Sequence, residues 1–493
     1  MQDKIDQLRA LSVPPQSLFI DGTWRAARSG ATMEVVSPID GSILTTIADA
    51  GADDVDLAVA AARAAFEKGT WSKAAPAERK KVLLRVADLI EKHALELAVL
   101  GVRDNGTEIS MALKAEPGSA AGTFRYYAEA IDKVYGEIAP TAENVLALVH
   151  RVPIGVVAAI VPWNFPMMIG AWKVAPALAA GNSVVLKPAE GASLALLRLA
   201  ELCAEAGLPG GVFNVVTGRG AVSGEALGLH MDVDVIAFTG SGAVGRRLLE
   251  YSARSNLKRV YLELGGKSPN IVFADAPSID QAAKVSAYGI FRNSGQVCVA
   301  GSRLLVERSI HEEFSEKLTR IATGMKVGDP LQLSTEAGAI SSEIQLRKDL
   351  GYADQALSEG ATLRTGGRRI LEESGGFYMQ PTVFDVTPSM TLAKEEVFGP
   401  ILSVIPFNDE ENALKIANAT DYGLASAVWT SNLSRAHRMV RGIKAGVVHV
   451  NTYGGADNTV PLGGVKQSGN GHDKSLHALD KYVDLKTAWI QLR

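Results

Sequence analysis

Two cysteines occur in the 493-residue chain, and their surroundings differ. Cys298 sits in Asn293-Ser294-Gly295-Gln296-Val297-Cys298-Val299-Ala300-Gly301-Ser302-Arg303. Flanking glycines and small or polar neighbours describe a turn that lets backbone approach a ligand. Cys203 lies in the apolar helical run Leu199-Ala200-Glu201-Leu202-Cys203-Ala204 and reads as packing. A thiol in a glycine-flanked loop acts as a nucleophile when its pKa is lowered or a base removes its proton. Most free cysteines are only small buried hydrophobes, so the case for Cys298 rests on its companions.

Four stretches supply them. Pro162-Trp163-Asn164-Phe165-Pro166 holds an asparagine whose amide can donate to a developing oxyanion, or can cap a helix starting near Pro166. Lys187-Pro188-Ala189-Glu190 ends a strand, where a Lys and a Glu can bind ribose hydroxyls or form a surface ion pair. Gly240-Ser241-Gly242-Ala243-Val244-Gly245 matches the G-x-G-x-x-G dinucleotide fingerprint, with Glu263 downstream in the ribose-binding position. The fingerprint belongs to the first strand of a series and this is the fourth, so the loop reads as phosphate-facing and the ribose role of Glu263 is doubtful. Leu262-Glu263-Leu264-Gly265-Gly266-Lys267-Ser268-Pro269 instead sets that carboxylate in an apolar environment, which raises its pKa toward that of a useful general base. A Cys and a Glu in separate glycine-rich loops beside a dinucleotide site suggest thiohemiacetal chemistry.

The elements that must position these groups follow an α/β pattern. Gly155–Val161, Ser183–Lys187, Val212–Val216 and Val235–Thr239 are buried-type strands separated by Ala- and Leu-rich helices. Such alternation predicts a parallel doubly wound sheet with ligands beyond the strands' C-terminal ends. A second series, at 270–273, 303–306, 402–406 and 446–450, predicts another α/β domain carrying Cys298. Before them, Leu18–Trp24 reads as a hairpin, and 53–68, 76–100 and 124–134 as helices. The first twenty residues read as a loose arm, 135–149 as extended structure, and 482–490 as a strand with unpaired edges unless another subunit covers it.

Composition excludes several classes. Hydrophobic residues make up 47%, charged residues 21%, and Gly numbers 48, a compact α/β composition whose length suggests roughly three domains. The net charge of −4 and the absence of a basic cluster argue against nucleic acid. Two cysteines build no disulfide framework, the N-terminus has no signal-peptide pattern, and the apolar stretch 152–160 is too short to span a bilayer. A cytoplasmic protein is expected, with no metal and no membrane partner.

Together with Phe238-Thr239-Gly240-Ser241, Glu395-Glu396-Val397-Phe398-Gly399-Pro400 and Pro461-Leu462-Gly463-Gly464-Val465-Lys466-Gln467-Ser468-Gly469, these motifs resemble the aldehyde dehydrogenase superfamily from about residue 18 to the C-terminus. Residues 126–137 and 466–479 are similar to the bacterial gamma-glutamyl-gamma-aminobutyraldehyde dehydrogenase branch. The resemblance implies a Rossmann-type cofactor domain (1–133 and 153–264), an α/β catalytic domain (265–467) and a small β oligomerisation element (134–152 and 478–493). It implies that Cys298 attacks the aldehyde while Asn164 and the Cys298 N–H hold the oxyanion, that hydride passes to a nicotinamide, and that Glu263 activates the water hydrolysing the thioester. Lys173 and Asp473 match positions that relay protons near that glutamate. Lys187 and Glu190 map to the adenosine ribose, Ser241 to the pyrophosphate, and Glu396 and Phe398 to the nicotinamide side. Ile160, Trp163, Gly240, Gly245 and Leu264 complete the cofactor cleft. NAD is the implied cofactor, with NADP as an alternative, and a homodimer or homotetramer the implied assembly.

Departures from the pattern bear on substrate. Leu462 stands where Phe is common and Val465 where Tyr is common, which widens the aldehyde tunnel, whose wall also takes Phe165, Trp172 and Tyr453. Trp172 can face a cationic or aliphatic substrate or simply pack. Glu116 falls where aminoaldehyde-selective members place an acid at the tunnel mouth, or it is an exposed helix-starting Glu. His472 replaces a usual Arg, and Asn105-Gly106-Thr107-Glu108 a commoner pattern. The expected function is NAD(P)-dependent oxidation of an aldehyde to its acid, with an ω-amino or gamma-glutamylamino aldehyde as substrate. Alternatives are a broad-specificity enzyme, a non-catalytic binding member, a CoA-acylating relative, which the intact Glu263 disfavours, and a generic Rossmann alcohol dehydrogenase.

Overall fold

The computed structural model describes residues 1–455 and 457–493. The strands of its three larger sheets are β1 (Leu18–Ile20), β2 (Thr23–Arg25), β3 (Glu137–Ala139), β4 (Val145–Pro153), β5 (Val156–Ile160), β6 (Ser183–Lys187), β7 (Phe213–Val215), β8 (Val235–Thr239), β9 (Arg259–Glu263), β10 (Pro269–Val272), β11 (Arg303–Glu307), β12 (Thr362–Thr365), β13 (Thr382–Asp385), β14 (Ile401–Phe407), β15 (Ala425–Trp429), β16 (Val447–Val450) and β17 (Val483–Gln491). A first sheet runs β9-β8-β5-β6-β7-β1-β2, with β9 through β7 parallel. The chain leaves β5 toward β6 on one side and returns to β8 on the other, so the order reverses between β5 and β8. A crevice opens at such a reversal, beyond the C-terminal strand ends. Register places Ile160 level with Lys187 and Phe238, and Thr239 level with Glu263. The ends of four strands therefore form one row.

The second sheet runs β12-β13-β14-β11-β10-β15-β16, parallel except for the edge strand β12. Residues 264–268 carry the chain from the C-terminal end of β9 directly to the N-terminal end of β10. Cys298 precedes β11, whose Arg303 is level with Pro269. The site thus lies where the C-terminal edge of the first sheet meets the N-terminal edge of the second. A rule that looks only beyond C-terminal strand ends finds half of it.

In the third sheet β4 pairs antiparallel with β17 along nine residues and with β3 on its other side. The outer edge of β17 has no partner strand among the described residues, and Leu485, Trp489 and Ile490 are exposed on it.

The helices that matter for the site are α1 (Ala94–Asn105), α2 (Ser119–Ala130), α3 (Pro166–Ala179), α4 (Gly242–Ala253), α5 (Ile279–Phe291) and α6 (Glu343–Ser358). Three local expectations are corrected. The N-terminus is no loose arm: Gln2–Arg9 is a helix that docks the fully buried Ile5 against Ala98, Val99 and Leu331. The helix expected over 76–100 is two helices, because His93 ends Pro76–Lys92 and starts α1. The helix expected over 124–134 begins at Ser119 and gives way to a tighter turn at Ile131–Lys133. The polarity pattern runs unbroken through His93, so no breaker marks the bend.

Candidate active site

The cysteine loop leaves α5 through an irregular turn. Asn293 and Ser294 both adopt φ 49°, and Gly295 φ 74°. Left-handed backbone costs an L-residue roughly 1–2 kcal/mol, least for Asn, so two consecutive non-glycine residues there need outside support. Gly295 is required for packing as well: a Cβ there would lie 2.0 Å from the Gly399 oxygen. This contact seats the cysteine loop on the loop of Glu396 and Phe398. Gly266 performs the same service from the other side, since its Cβ would meet the Cys298 carbonyl at 2.6 Å.

Cys298 is half-buried, and the backbone amides of Val299 and of Cys298 itself favour its thiolate. Burial, with the carboxylates of Glu396 and Glu263, nevertheless pushes the thiol up to about 12. The resting group is a thiol that needs a base or a cation before it attacks.

Asn164 does not cap the following helix. The N-cap of α3 is Phe165, and Asn164 Nδ2 donates to the Gln296 carbonyl at 2.8 Å. One amide N–H is thereby tied to the cysteine loop, and the second is left for a ligand. Glu263 ends β9, buried, with Oε1 accepting no hydrogen bond from the protein. Its pKa is raised well above the usual carboxylate range by burial and by the charge of Asp473, against the pull of Lys481 and Lys173. Lys173 Nζ donates to Asp473 Oδ2 at 3.0 Å, and Lys481 to the other oxygen. Segment 462–473 holds Asp473 there by folding back over β9, pairing Glu263 with Gly469 and Leu462 with Asp473.

Among the residues expected at a cofactor, Lys187 Nζ donates to the Pro188 carbonyl at 3.0 Å, and Glu190 accepts the Gly220 N–H at 2.6 Å. They form no ion pair with each other. Ser241 caps α4, accepting the Val244 N–H at 3.4 Å. Gly245 packs this helix against β9 and the strand's continuation, since a Cβ would stand 3.0 Å from Leu264 and 3.3 Å from Leu262. Glu396 accepts the Gly266 N–H at 2.9 Å, and only a glycine at 265 allows this, because a Cβ would fall 1.9 Å from its carboxylate. Trp163 and Phe398 meet edge to face at 5.3 Å. Phe398 is held at φ 66°. A helix N-terminus at the β5/β8 reversal, acidic groups at both ends and an aromatic pair between them fit an extended dinucleotide.

Among the residues expected at the substrate, Phe165, Trp172 and Leu462 share one apolar cluster with Val297, beside Cys298. The Tyr453 ring lies against Gly289 and Gly301, and its hydroxyl donates to the Val299 carbonyl at 2.7 Å. One face of the Trp172 ring is taken by the Lys474 ammonium, 5.8 Å from the ring centre. One expectation needs correction. Glu116 is neither exposed nor open at a tunnel mouth. It is 4% accessible, and its carboxylate accepts the Met168 N–H at 2.7 Å, capping the first turn of α3.

Sequence reasoning missed several supporting groups. Gln345 of α6 donates to Asp349 and to the Val397 and Phe398 carbonyls at 2.8, 3.1 and 3.4 Å, bracing the Glu396 loop. Lys481 and the partners of Asn293 were also missed. No motif ties any of them to the site, since the contacts span distant parts of the chain.

The model of the aldehyde dehydrogenase family matches residues 24–488. The NADP/NAD-dependent aldehyde dehydrogenase PuuC of Escherichia coli is 51% identical over 488 residues, 99% of this chain and 98% of that protein. Among solved structures, gamma-glutamyl-gamma-aminobutyraldehyde dehydrogenase from Burkholderia cenocepacia superposes with a TM-score of 0.98 at 52% identity, covering 100% of both chains. Indole-3-acetaldehyde dehydrogenase AldA of P. syringae, solved with NAD+ and IAA, gives a TM-score of 0.98 at 50% identity over 100% of this chain and 99% of that one.

Proposed function

The chain belongs to the aldehyde dehydrogenase family and oxidises an aldehyde to its carboxylic acid with NAD or NADP, and we propose that it does so through Cys298, Asn164 and Glu263. The observation that carries this reading is the bond from Asn164 Nδ2 to the Gln296 carbonyl, which fixes an amide donor beside the loop of the one half-buried thiol. Cys298 passes its thiol proton to Glu263 and from there to solvent, Sγ adds to the aldehyde carbon, and the oxygen takes the negative charge under the free Asn164 N–H and the Cys298 N–H. NAD or NADP, when bound, supplies the acceptor for the hydride. The acyl group is then held on sulfur as a thioester. Glu263 takes a proton from water, the resulting hydroxide adds to the thioester carbon, and the C–S bond breaks to release the carboxylate and the cysteine. The Lys173–Asp473–Lys481 cluster holds the charge balance that lets Glu263 cycle its proton.

Lys187 and Glu190 would hold the adenosine ribose, Ser241 with the α4 N-terminus the pyrophosphate, and Glu396 with Phe398 the nicotinamide end. The three sheets correspond to a cofactor unit, a catalytic unit and an oligomerisation element. The exposed apolar edge of β17 supports a homo-oligomer. Among the described residues no helix is long and apolar enough to cross a membrane. A cytoplasmic location is our reading.

For substrate we propose an ω-amino or gamma-glutamylamino aldehyde, on the similarity to the Burkholderia enzyme. Glu116 takes no part in that choice, because its carboxylate is spent on α3. Steady-state oxidation of propanal, benzaldehyde, 3-aminopropanal, 4-aminobutanal and its gamma-glutamyl adduct, with NAD and NADP, tests it. The amino or glutamylamino compounds should lead in kcat/KM, and Cys298→Ala should abolish turnover of all of them. A flat or aliphatic preference would leave a broad-specificity enzyme.

A further inference from the structure

We propose that Thr107 and Glu108 are positioning residues for the oxyanion-binding amide of Asn164, acting through Asn293; the proposal rests on the reading of Asn164 and Cys298 given above. Thr107 and Glu108 lie just past the end of α1 and touch none of the groups assigned to chemistry. Each is 1% accessible, although both side chains are polar. The turn that delivers them is pinned: Gly106 is left-handed at φ 81°, and the Ala339 N–H donates to its carbonyl at 3.0 Å.

From this fixed base two bonds reach the strained start of the cysteine loop. The Thr107 hydroxyl donates to Asn293 Oδ1 at 2.8 Å, and the Glu108 carboxylate accepts the Asn293 N–H at 3.1 Å. The first bond decides which way the Asn293 amide faces. With Oδ1 held by Thr107, Nδ2 turns toward the Asn164 and Gln296 carbonyls, 3.3 Å from each. The Gln296 carbonyl thus receives Asn293 Nδ2 and Asn164 Nδ2 together. Asn293 steadies both the acceptor that orients the Asn164 amide and the backbone of Asn164 itself. The second bond holds Asn293 in its left-handed conformation. Burial pushes the Glu108 carboxyl up to about 7, but it accepts the N–H in either protonation state.

Without the Thr107 hydroxyl the Asn293 amide is held only by its two 3.3 Å bonds from Nδ2, and the acceptor that orients the Asn164 amide is less firmly fixed. Oxyanion donors act through preorganisation, so the cost falls on turnover rather than on binding. A role confined to holding the fold would lower stability and would not depend on whether Asn164 is present.

The test is a double-variant cycle on kcat and KM using wild type, Thr107→Val, Thr107→Ser, Asn164→Ala and Thr107→Val/Asn164→Ala, with melting temperatures in parallel. Thr107→Val should lower kcat about tenfold, with KM for cofactor and aldehyde within roughly twofold, and Thr107→Ser should restore it. In the Asn164→Ala background the Thr107→Val effect should vanish, because the group it positions is gone. An unchanged kcat in Thr107→Val, or an equal loss with and without Asn164, overturns the proposal. If Asn164→Ala alone leaves kcat intact, the oxyanion reading beneath it fails, a result distinct from either. Should Thr107→Val fold poorly, Glu108→Ala against Glu108→Gln repeats the comparison, since Gln keeps an acceptor for the Asn293 N–H.

Discussion

Lys173 and Asp473 form an ion pair in the interior, Nζ to Oδ2 3.0 Å, with both side chains almost sealed from solvent. Lys481 engages the second oxygen of the same carboxylate, so two cations share one anion beside Glu263. A buried carboxylate normally needs its charge matched, and here the excess positive charge works on the neighbouring acid.

The sign of that influence gives the first prediction. Burial and Asp473 raise the Glu263 pKa, while Lys481 and Lys173 lower it. Lys481→Met removes a lowering charge, so Glu263 needs a higher pH to lose its proton. The acid limb of the kcat–pH profile should move up by roughly 0.5–1 pH unit. A limb that stays in place, or moves down, would show that Lys481 does not act on Glu263 through charge.

The Cys298 thiol gives the second. Because it is pushed up to about 12, its thiolate fraction near neutrality is minute and grows with each pH unit. Alkylation by iodoacetamide, measured without cofactor, should accelerate close to tenfold per unit between pH 7 and 9. Glu396→Gln removes the carboxylate whose charge raises the thiol most and should speed the reaction at fixed pH. A plateau near pH 8 would place the thiol far lower and contradict the burial argument.

Glu190 gives the third. Its carboxylate is exposed at the end of β6 and accepts the Gly220 N–H at 2.6 Å. Glu190→Gln retains an acceptor for that bond and removes the charge that opposes a ribose 2′-phosphate. The ratio of kcat/KM for NADP to that for NAD should rise about tenfold, the effect of one like-charge contact worth about 1.4 kcal/mol. An unchanged ratio would move cofactor selection away from this residue.

These tests also separate what the sequence reveals from what it hides. Cys298, Asn164 and Glu263 are legible because each stands in a short glycine- or proline-bounded motif where its chemistry is local. The parallel sheets are legible for a similar reason, since apolar runs such as Val156–Ile160 are buried on both faces. Pairings across the chain leave no such mark. Thr107 lies 186 residues from Asn293, and Lys173 300 from Asp473, so their types suggest only polarity or charge. Glu116 shows the converse. Its place in the motif order implied a tunnel-mouth acid, but the start of α3 passes close enough for its amide to take the carboxylate.

Glu116 and Asp104 give the last prediction. Both are buried carboxyls, each capping a helix start, Glu116 at Met168 and Asp104 at Leu194, 3.0 Å away. Burial raises each to about 8 in the folded protein, from 4.5 and 3.8 respectively. The folded state therefore holds more protons than the unfolded chain between those limits. Stability carried by the protonated pair is fully present below the unfolded pKa values and is lost as pH rises through about 8. The apparent melting temperature should thus fall by several degrees from pH 6 to pH 8.5, and Glu116→Gln, which cannot ionise, should flatten that fall. The same substitution should leave the ranking of aldehydes unchanged, since the carboxylate is committed to α3. A variant that lost its preference for amino compounds at unchanged stability would return Glu116 to the substrate path.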